Sequence, residues 1–386
     1  MIPRFGQSSV PLDPNGKSAS PNPARSFEGK VFVTGATGHV GANVLRRLLD
    51  DGREVRVLLE PGANADAVAG LAVERVTGDL TDIASLETAM RGCRQAFHAA
   101  AIISTTVPTP AVERRLYDVN VTGTQNLLRV AKHLGLDRVV VTGSFSANGF
   151  DRNDPQAPAD ETVSHYPFDE VLPYSRTKVL VEHECLKAAV EGLDVVIATS
   201  CAVLGPHDYI PSRMGRTLLD FAHGKLRAYV PGGFEFIAAR DIAEGHMLAM
   251  RRGRSGQKYV FSSRFVSIDE MMGLWEQVTG RPKPKLRLHP TVMAGVAEVT
   301  SFVLDHFPSV PQRLTPAAVR ILRSQRHADT TKARAELGFV PTRIEDAIQA
   351  AYDDFVRRGL APRGPAPDAQ TRAKPATRER AAGATA

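Results

Sequence analysis

Apolar positions alternate between two periodicities over residues 30–200. Short apolar runs predict strands, at 30–34, 54–59, 73–77, 96–99, 139–142 and 195–199. The stretches between them follow a helical period, and in 40–51 the side chains of Val40, Val44 and Leu48 fall on one face. Longer helices are predicted at 111–134 and 174–191. Strands separated by helices predict an α/β fold with a Rossmann-type doubly wound parallel sheet.

The pattern is less regular after residue 200. Helices are predicted at 212–223, 241–251, 267–279, 291–305, 315–325 and 343–357. Short strands are predicted at 227–230, 235–238, 258–262 and 285–288. We therefore expect a dinucleotide-binding Rossmann domain over 30–200. A smaller C-terminal α/β substrate lobe should follow over 201–360, with some segments returning to the Rossmann core.

Both ends of the 386-residue chain are poor in apolar residues and rich in Pro, Ala or Ser. Residues 1–29 and 361–386 are therefore expected to be disordered tails, the second one basic. They hold four of the six net positive charges, so the middle of the chain is nearly neutral. No zinc-finger spacing or aromatic–basic interleaving accompanies this charge, and we expect no nucleic-acid partner.

Cysteine usage and hydropathy restrict the compartment. The three cysteines, Cys93, Cys185 and Cys201, are far apart and form no CxxC motif, which argues against a disulfide scaffold or a zinc site. A reducing, cytoplasmic location is expected. No run of 18 apolar residues is present, so no integral membrane segment is expected. The histidines form no HExxH motif, and no metal is expected.

A glycine-rich loop lies between the first predicted strand and the first predicted helix. It reads Thr34-Gly-Ala-Thr-Gly-His-Val-Gly41. Glycines let the backbone turn sharply and approach a pyrophosphate, and the helix N-terminus offers free N–H groups to that anion. This context predicts dinucleotide binding.

A Tyr-x-x-x-Lys pair opens the helix predicted at 174–191. The i, i+4 spacing places Tyr174 and Lys178 on one helical face. An ammonium beside a phenol stabilises the phenolate, and lowering the tyrosine pKa by about three units would give an acid/base suited to neutral pH. A third polar group is expected from the end of the fifth strand, where Ser144 and Ser146 are the candidates. Ser144 could instead only cap a turn.

These motifs resemble the extended branch of the short-chain dehydrogenase/reductase superfamily, the NAD-dependent epimerase/dehydratase superfamily. The resemblance covers about residues 30–358 and includes Gly78-Asp79-Leu80, the alanines after His98, Asn120, and the 329–341 segment near the C-terminus. Within this branch the chain is similar to dihydroflavonol-reductase-like and 3β-hydroxysteroid-dehydrogenase-like proteins. The resemblance implies that Ser144, Tyr174 and Lys178 are catalytic.

The resemblance also implies a set of cofactor-binding residues. They are Gly35, Thr37, Gly38, His39, Val40, Gly41, Glu60, Asp79, Leu80, Ala99, Ala100, Ala101, Asn120, Tyr174, Lys178, Cys201 and Val203. Glu60 ends the second strand, where an acid accepts hydrogen bonds from the adenosine ribose and repels a 2′-phosphate. NAD is therefore the expected cofactor, with NADP left open because Glu60 could point into solvent.

The loops expected over the nicotinamide are largely apolar. The candidate substrate residues are Ile103, Phe145, Ser146, Tyr209, Met214 and Phe236. Apolar lining suits a hydrophobic small molecule, so the first hypothesis is an NAD(P)-dependent reductase interconverting a ketone or aldehyde with an alcohol.

Two other functions remain open. The first is an NDP-sugar epimerase with tightly bound NAD, in which Arg213 and Arg216 meet a phosphate. The second is a non-catalytic NAD(P)-binding regulator, although such relatives typically lack the Tyr or the Lys. The resemblance implies a homodimer formed by the helices of Asn120 and Tyr174. The segment Glu182-His183-Glu184 is interpreted as the exposed face of the catalytic helix.

Overall fold

The computed structural model describes residues 21–364, apart from 105–108, 152, 155, 164–171, 289–321 and 323. The helix expected at 291–305 and most of that expected at 315–325 lie outside the described residues. So do residues 1–20 and 365–386 of the two expected tails.

Twelve strands are present in the described residues. They are β1 Val31–Thr34, β2 Val55–Leu59, β3 Glu74–Thr77, β4 Gln95–His98, β5 Arg138–Ser144, β6 Val195–Ser200, β7 Ala202–Leu204, β8 Ala228–Tyr229, β9 Gly233–Ala238, β10 Lys258–Phe261, β11 Arg264–Ser267 and β12 Leu286–Arg287. The α-helices are α1 His39–Asp50, α2 Ile83–Met90, α3 Pro110–Tyr117, α4 Gly123–His133, α5 Pro173–Val190, α6 Arg213–Ala222, α7 Ala239–Arg252, α8 Ile268–Thr279 and α9 Ile344–Arg357.

Seven parallel strands form the central sheet, in the order β10-β6-β5-β4-β1-β2-β3. The chain builds β1, β2 and β3 outward in one direction and then returns to place β4 on the other side of β1. Strand order reverses there, and such a switch point opens a crevice at the carboxyl ends of the strands. The expected Rossmann-type fold is confirmed.

Helices cover both faces of this sheet. Side chains alternate along its strands, so each strand sends apolar residues to both faces. In β1, Val31 and Val33 enter the apolar cluster beneath α1 and α7, whereas Phe32 enters the cluster beneath α2, α4 and α5. β5 divides in the same way, with Val140 on the first side and Val139 and Val141 on the second.

The second half of the chain contributes to two layers. Strand β10 adds to the edge of the central sheet beside β6, as expected for a segment that returns to the core. The remaining strands form a three-stranded sheet, β11-β9-β7, and a two-stranded sheet, β12-β8. A third apolar cluster packs α6, α8 and α9 against the three-stranded sheet, around the fully buried Trp275 and Phe236.

A turn of π-helix interrupts the helix expected at 111–134. Residues Asp118–Thr122 form this turn between α3 and α4, and its buried residues are Asn120 and Val121. Turns of this kind occur frequently at functional sites, because the wider backbone re-aims a side chain.

Residues 21–29 are ordered, so the expectation of a disordered N-terminal tail is wrong for them. They pack beside α7. The N–H of Asn22 donates to the carbonyl of Glu336 at 2.7 Å, and that of Arg25 donates to the carbonyl of Arg251 at 2.8 Å. Phe27 packs against the core with the guanidinium of Arg53 4.1 Å and that of Arg251 5.7 Å from its ring centre. The low apolar content of the segment did not predict this docking, because a single aromatic side chain, that of Phe27, holds the segment in place.

The start of the expected C-terminal tail is also ordered. The phenol of Tyr352 donates to the carbonyl of Pro362 at 2.7 Å and accepts from the N–H of Gly364 at 2.8 Å. Residues 361–364 therefore continue the packing of α9, contrary to the expectation from their Pro and Ala content.

Phe27→Ala is expected to lower the free energy of unfolding by about 1–2 kcal/mol, because it removes apolar burial and two cation–π contacts. Phe27→Leu should restore most of the burial, so the difference between wild type and Phe27→Leu in urea unfolding measures the cation–π share. An unfolding midpoint for Phe27→Ala equal to that of the wild type would show that the segment contributes no stability.

Candidate functional site

The glycine loop forms a cradle at the switch point. Gly35 has φ +72°, a conformation that favours glycine, and a Cβ there would overlap the backbone of Ala99 and Ala100. A Cβ on Gly41 would likewise overlap the carbonyl of Gly35. The first turn of α1, with His39 and Val40, begins after Gly38, and no side chain caps this end. The backbone N–H groups of this turn can therefore bind a pyrophosphate.

A buried histidine supports the floor of this cradle. The hydroxyl of Thr124 donates to the carbonyl of Asn120, so it accepts the proton of His98 Nε2 at 2.9 Å. His98 Nδ1 then accepts from the hydroxyl of Thr34 at 2.7 Å. Burial lowers the pKa of His98 to about 3, so the ring is neutral. It holds the ends of β1 and β4 together, directly before the half-buried Ala99, Ala100 and Ala101.

The predicted adenosine-side residues lie at the ends of β2 and β3. Glu60 is exposed directly after β2. Asp79 is exposed after β3, and its Oδ1 accepts from the N–H and the hydroxyl of Thr81 at 2.8 and 2.9 Å. Leu80 is buried, and its carbonyl accepts from the Asn126 amide at 3.1 Å. Thr37 lies in the glycine loop itself.

Ser144, Tyr174 and Lys178 come together at the carboxyl end of β5. Ser144 is the last residue of that strand, and its hydroxyl lies close enough to the phenol of Tyr174, in the first turn of α5, to oppose the rise in the tyrosine pKa. One turn later, the buried Lys178 Nζ donates to the carbonyl of Thr142 at 3.0 Å. The sequence predicted the pair Tyr174 and Lys178 but not the carbonyl of Thr142, because every residue type has a backbone carbonyl and none marks it as an acceptor.

Ser146 lies beside Ser144, and the two hydroxyl oxygens are 2.9 Å apart. The Ser144 hydroxyl also accepts from the N–H of Ser146 at 3.3 Å. Ser144 therefore caps the short 3₁₀ turn Phe145–Ala147 as well as contacting Tyr174. Turn capping and the contact with Tyr174 were weighed as alternatives from sequence, and one hydroxyl makes both.

The expected lowering of the tyrosine pKa is wrong in this structure. Burial raises the pKa of Tyr174 to about 12, and the hydrogen bond from Ser144 only partly opposes this. Burial also lowers the pKa of Lys178 to about 8, opposed by the nearby Cys185 and Glu182. Spacing along a helix could not predict these shifts, because they come from the desolvation of both groups in the folded site.

Asn120 connects the π-turn to α5. Its side-chain oxygen accepts from the N–H of Ile102 at 2.8 Å, and its amide donates to the carbonyl of Ile102 at 2.9 Å. The same amide donates to the hydroxyl of Thr177 at 3.1 Å, and that hydroxyl donates to the carbonyl of Tyr174 at 2.7 Å. Thr177 was missed from sequence, although its position three residues after Tyr174 could have drawn attention to it.

The predicted substrate residues do not form one group. Phe145 directly follows Ser144 and lies beneath the guanidinium of Arg326, whose carbon is 5.0 Å from the ring centre. Ile103 is 69% exposed after β4. Met214, on α6, packs against the lobe core.

Two of these residues are engaged elsewhere. Phe236 is fully buried inside the lobe, where its ring meets that of Phe234 edge-on. The phenol of Tyr209 accepts from Arg46 on α1 at 2.8 Å, and the guanidinium of Arg358 lies 4.5 Å from its ring centre. An apolar or aromatic residue cannot be assigned to pocket or core from sequence, because both environments select the same residue types.

The segment after β6 places Cys201 and Val203 at the edge of the core. Cys201 is a buried free thiol, and burial raises its pKa. It is therefore poorly suited to act as a nucleophile. Val203 is half-buried in β7 and packs on the cluster beneath α1 and α7.

The segment Glu182-His183-Glu184 of α5 also differs from its interpretation as an exposed face. The side chain of Glu182 is only 13% exposed and pairs with Lys258 on β10 at 3.0 Å. Sequence reasoning missed this because β10 is distant along the chain. Arg326, half-buried over Phe145, was missed for the same reason.

Metal ligands and membrane-spanning helices are both absent from the described residues. Within them, no group of His, Cys, Asp or Glu side chains is arranged to hold a metal ion. No helix in the same part of the chain has the length and apolarity that crossing a membrane requires.

Comparisons with known proteins identify the family of this chain. The family model described as "NAD dependent epimerase/dehydratase family" matches residues 31–261. "Sterol demethylase protein B" of Methylococcus capsulatus is 40% identical over 331 residues, 86% of this chain and 99% of that protein. The "Putative dihydroflavonol 4-reductase" of a Synechocystis species is 34% identical over 336 residues, 85% of this chain and 95% of that protein.

Among solved structures, that of gox2253 aligns with a TM-score of 0.75 and 30% identity, covering 87% of this chain and 100% of the other. The resemblance drawn from the glycine loop and the Tyr-x-x-x-Lys pair is thereby confirmed. The chain belongs to the NAD-dependent epimerase/dehydratase family, the extended branch of the short-chain dehydrogenases/reductases, and is an NAD-dependent oxidoreductase of that family.

Proposed function

We propose that this enzyme interconverts a ketone and a secondary alcohol on a largely hydrophobic small molecule. The observation that carries the proposal is the convergence of three groups at the carboxyl end of β5: Ser144 as its last residue, Tyr174 in the first turn of α5, and the buried Lys178 bonded to the carbonyl of Thr142. This arrangement lies at the same edge of the sheet as the glycine loop, where the family's cofactor binds. A substrate oxygen that reaches both hydroxyls meets a proton donor and a second hydrogen-bonding group.

A sterol-like polycyclic compound is the substrate class we favour. The relative that is 40% identical has a name that includes "sterol", and it is covered over 99% of its length. Ile102 and Ile103 follow β4 and Phe145 follows β5, at the edge of the sheet where Ser144 lies, and apolar residues there suit a rigid hydrophobic ring system. The name of the 34% identical relative includes "dihydroflavonol 4-reductase", and a polycyclic ketone also fits that name.

The proposed chemistry uses each group in one role. When bound, the nicotinamide supplies or accepts the hydride. In reduction, Tyr174 donates its phenolic proton to the carbonyl oxygen, and the Ser144 hydroxyl holds that oxygen in place. The Lys178 ammonium then stabilises the phenolate that Tyr174 becomes. In oxidation, the proton passes from the alcohol to Tyr174.

The residues that would hold the cofactor fit NAD. The uncapped first turn of α1 offers N–H groups to the pyrophosphate, and the alanines after β4 leave room along the crevice. Glu60 is free to accept from the adenosine ribose, since it stands exposed after β2. The carboxylate would also repel the 2′-phosphate of NADP, which favours NAD.

An NDP-sugar epimerase is the second candidate, and one observation favours it. Arg213 and Arg216 both lie in the first turn of α6. Burial lowers the pKa of Arg213, and repulsion by the nearby charge of Arg216 lowers it further. A diphosphate would relieve this repulsion. An epimerase would retain NAD through purification, detectable by mass spectrometry, and would interconvert NDP-sugars with no net change in NADH absorbance.

Tyr174→Phe is expected to lower kcat by about 100- to 10,000-fold, because it removes the group that moves the proton. The measurement is NADH oxidation with a panel of sterol and other hydrophobic ketones, beside NADH binding by fluorescence. NADH affinity should stay within a few-fold of wild type, and Tyr117→Phe, a half-exposed tyrosine on α3, should leave kcat unchanged.

Turnover by Tyr174→Phe within a few-fold of wild type would refute the role of Tyr174. A wild-type protein that binds NADH but turns over neither ketones nor NDP-sugars would instead point to a non-catalytic regulator.

The rate of ketone reduction is expected to fall as pH rises through about 8. The pKa of Lys178 is lowered to about 8, so its ammonium is present below that pH and is lost above it. Tyr174, whose pKa is about 12, keeps its proton over this range. The kcat should therefore drop about tenfold per pH unit on the alkaline side, measured from about pH 6 to about pH 10. A flat profile to about pH 10 would contradict this account.

We also propose a reducing compartment such as the cytoplasm, since all three cysteines are free and buried.

We further propose that the chain forms a homodimer. Leu186 and Val190 on α5 are 46% and 90% exposed, which leaves an apolar strip for a second copy. Light scattering should give twice the 41.7-kDa chain mass, and Leu186→Glu with Val190→Glu should give the single-chain mass. A wild-type mass of one chain would exclude the dimer.

A further inference from the structure

A buried ion pair joins the catalytic helix to the edge of the central sheet. Glu182 follows Tyr174 and Lys178 at the same four-residue spacing, so all three share one face of α5. Its carboxylate lies 3.0 Å from the ammonium of Lys258 on β10, and both side chains are only 13% exposed. The other oxygen of Glu182, Oε1, is buried and has no hydrogen-bond partner among the described residues.

The same ammonium continues to the turn that follows Ser144. Lys258 Nζ donates to the side-chain oxygen of Asn148 at 3.2 Å. Asn148 is fully buried, and its N–H donates to the carbonyl of Phe145 at 3.1 Å, which closes the turn. Its side-chain amide donates to the carbonyl of Asp160 at 2.7 Å. One ammonium thus links the catalytic helix to the backbone that begins at Ser144.

Stability alone does not account for such a pair. Removing a carboxylate and an ammonium from water is costly, and apolar residues of the same size often stabilise a core equally well or better. The unpaired oxygen of Glu182 adds to the cost of burying this ion pair. What the pair does provide is a directional link between two elements that must be in register for Tyr174 to meet Ser144.

Charge adds a second consequence. Glu182 is one helical turn from Lys178, and its carboxylate opposes the lowering of the Lys178 pKa by burial. Lys258 in turn opposes the raising of the Glu182 pKa by burial. Lys258 therefore offsets part of the cost of burying a carboxylate one helical turn from the ammonium of Lys178.

We propose that Glu182 and Lys258 are positioning residues that hold the Ser144–Asn148 turn against the catalytic helix. Neither contacts substrate in this role, and both act through Ser144, Tyr174 and Lys178. The kinetic consequence rests on the proposed function, whereas the structural consequence does not. Loss of the link should misalign Ser144, and misplacement on the scale of an ångström costs rate rather than cofactor affinity.

The test uses Lys258→Met, Glu182→Gln and the double variant of the full chain. Each single variant should lower kcat by about 10- to 100-fold with KM and NADH affinity within about threefold of wild type. The double variant should be no slower than the slower single variant, because the two residues act as one unit. Lys258→Arg, which keeps charge and donors, should recover much of the rate.

Glu191→Gln is the matched control. Glu191 caps the far end of the same helix and pairs with Lys132 at 3.3 Å, with both side chains nearly half exposed. Removing that surface pair should leave kcat unchanged, since exposed pairs contribute little and this one does not reach the turn.

Hydrogen exchange gives a readout that needs no substrate. Amides of the 145–149 turn should exchange about tenfold faster in Lys258→Met than in wild type, while those of the glycine loop stay unchanged. Unchanged exchange in the turn would overturn the proposal. If wild type reduces no ketone, the proposed function fails, and the exchange result still decides the positioning role.

Discussion

The geometry of the site depends on the contact between the Lys178 ammonium and the carbonyl of Thr142. A cation in a dry interior must find acceptors, and the carbonyl at 3.0 Å is the one that the end of β5 presents. Because Thr142 stands two residues before Ser144, this contact holds α5 against the sheet where the strand ends. The first turn of the helix then brings Tyr174 to the Ser144 hydroxyl.

Thr142 is also held from the opposite face of the sheet. His246, on α7, donates its Nδ1 proton to the carbonyl of Ile242 at 2.7 Å, so its Nε2 accepts from the Thr142 hydroxyl at 2.8 Å. Burial lowers the pKa of His246 to about 4, which keeps the ring neutral. His98 plays the equivalent part between β1, β4 and α4. Two neutral histidines therefore support the strand ends on which cofactor and substrate chemistry would depend.

Sequence reasoning was most successful where chemistry and local structure coincide. The glycine loop needed only a strand, a sharp turn and a helix in succession, and Gly35 adopts the positive φ that such a turn requires. It failed where the environment decides. Phe27 orders a segment that looked disordered, Phe236 is core rather than pocket, and the side chain of Glu182 is only 13% exposed although the next two residues of the helix are polar.

The order of residues was enough to predict the strand–helix alternation, the glycine loop for a dinucleotide, and a tyrosine and a lysine on one helical face. These follow from periodicity and from residue types within a few positions of one another. The folded chain was needed to show that Lys178 donates to the carbonyl of Thr142 and that Glu182 pairs with Lys258. It was also needed to show that burial raises the pKa of Tyr174 and lowers that of Lys178. The reason is physical: desolvation and long-range pairing depend on residues far apart in the chain, and they exist only once the sheet and its helices have packed.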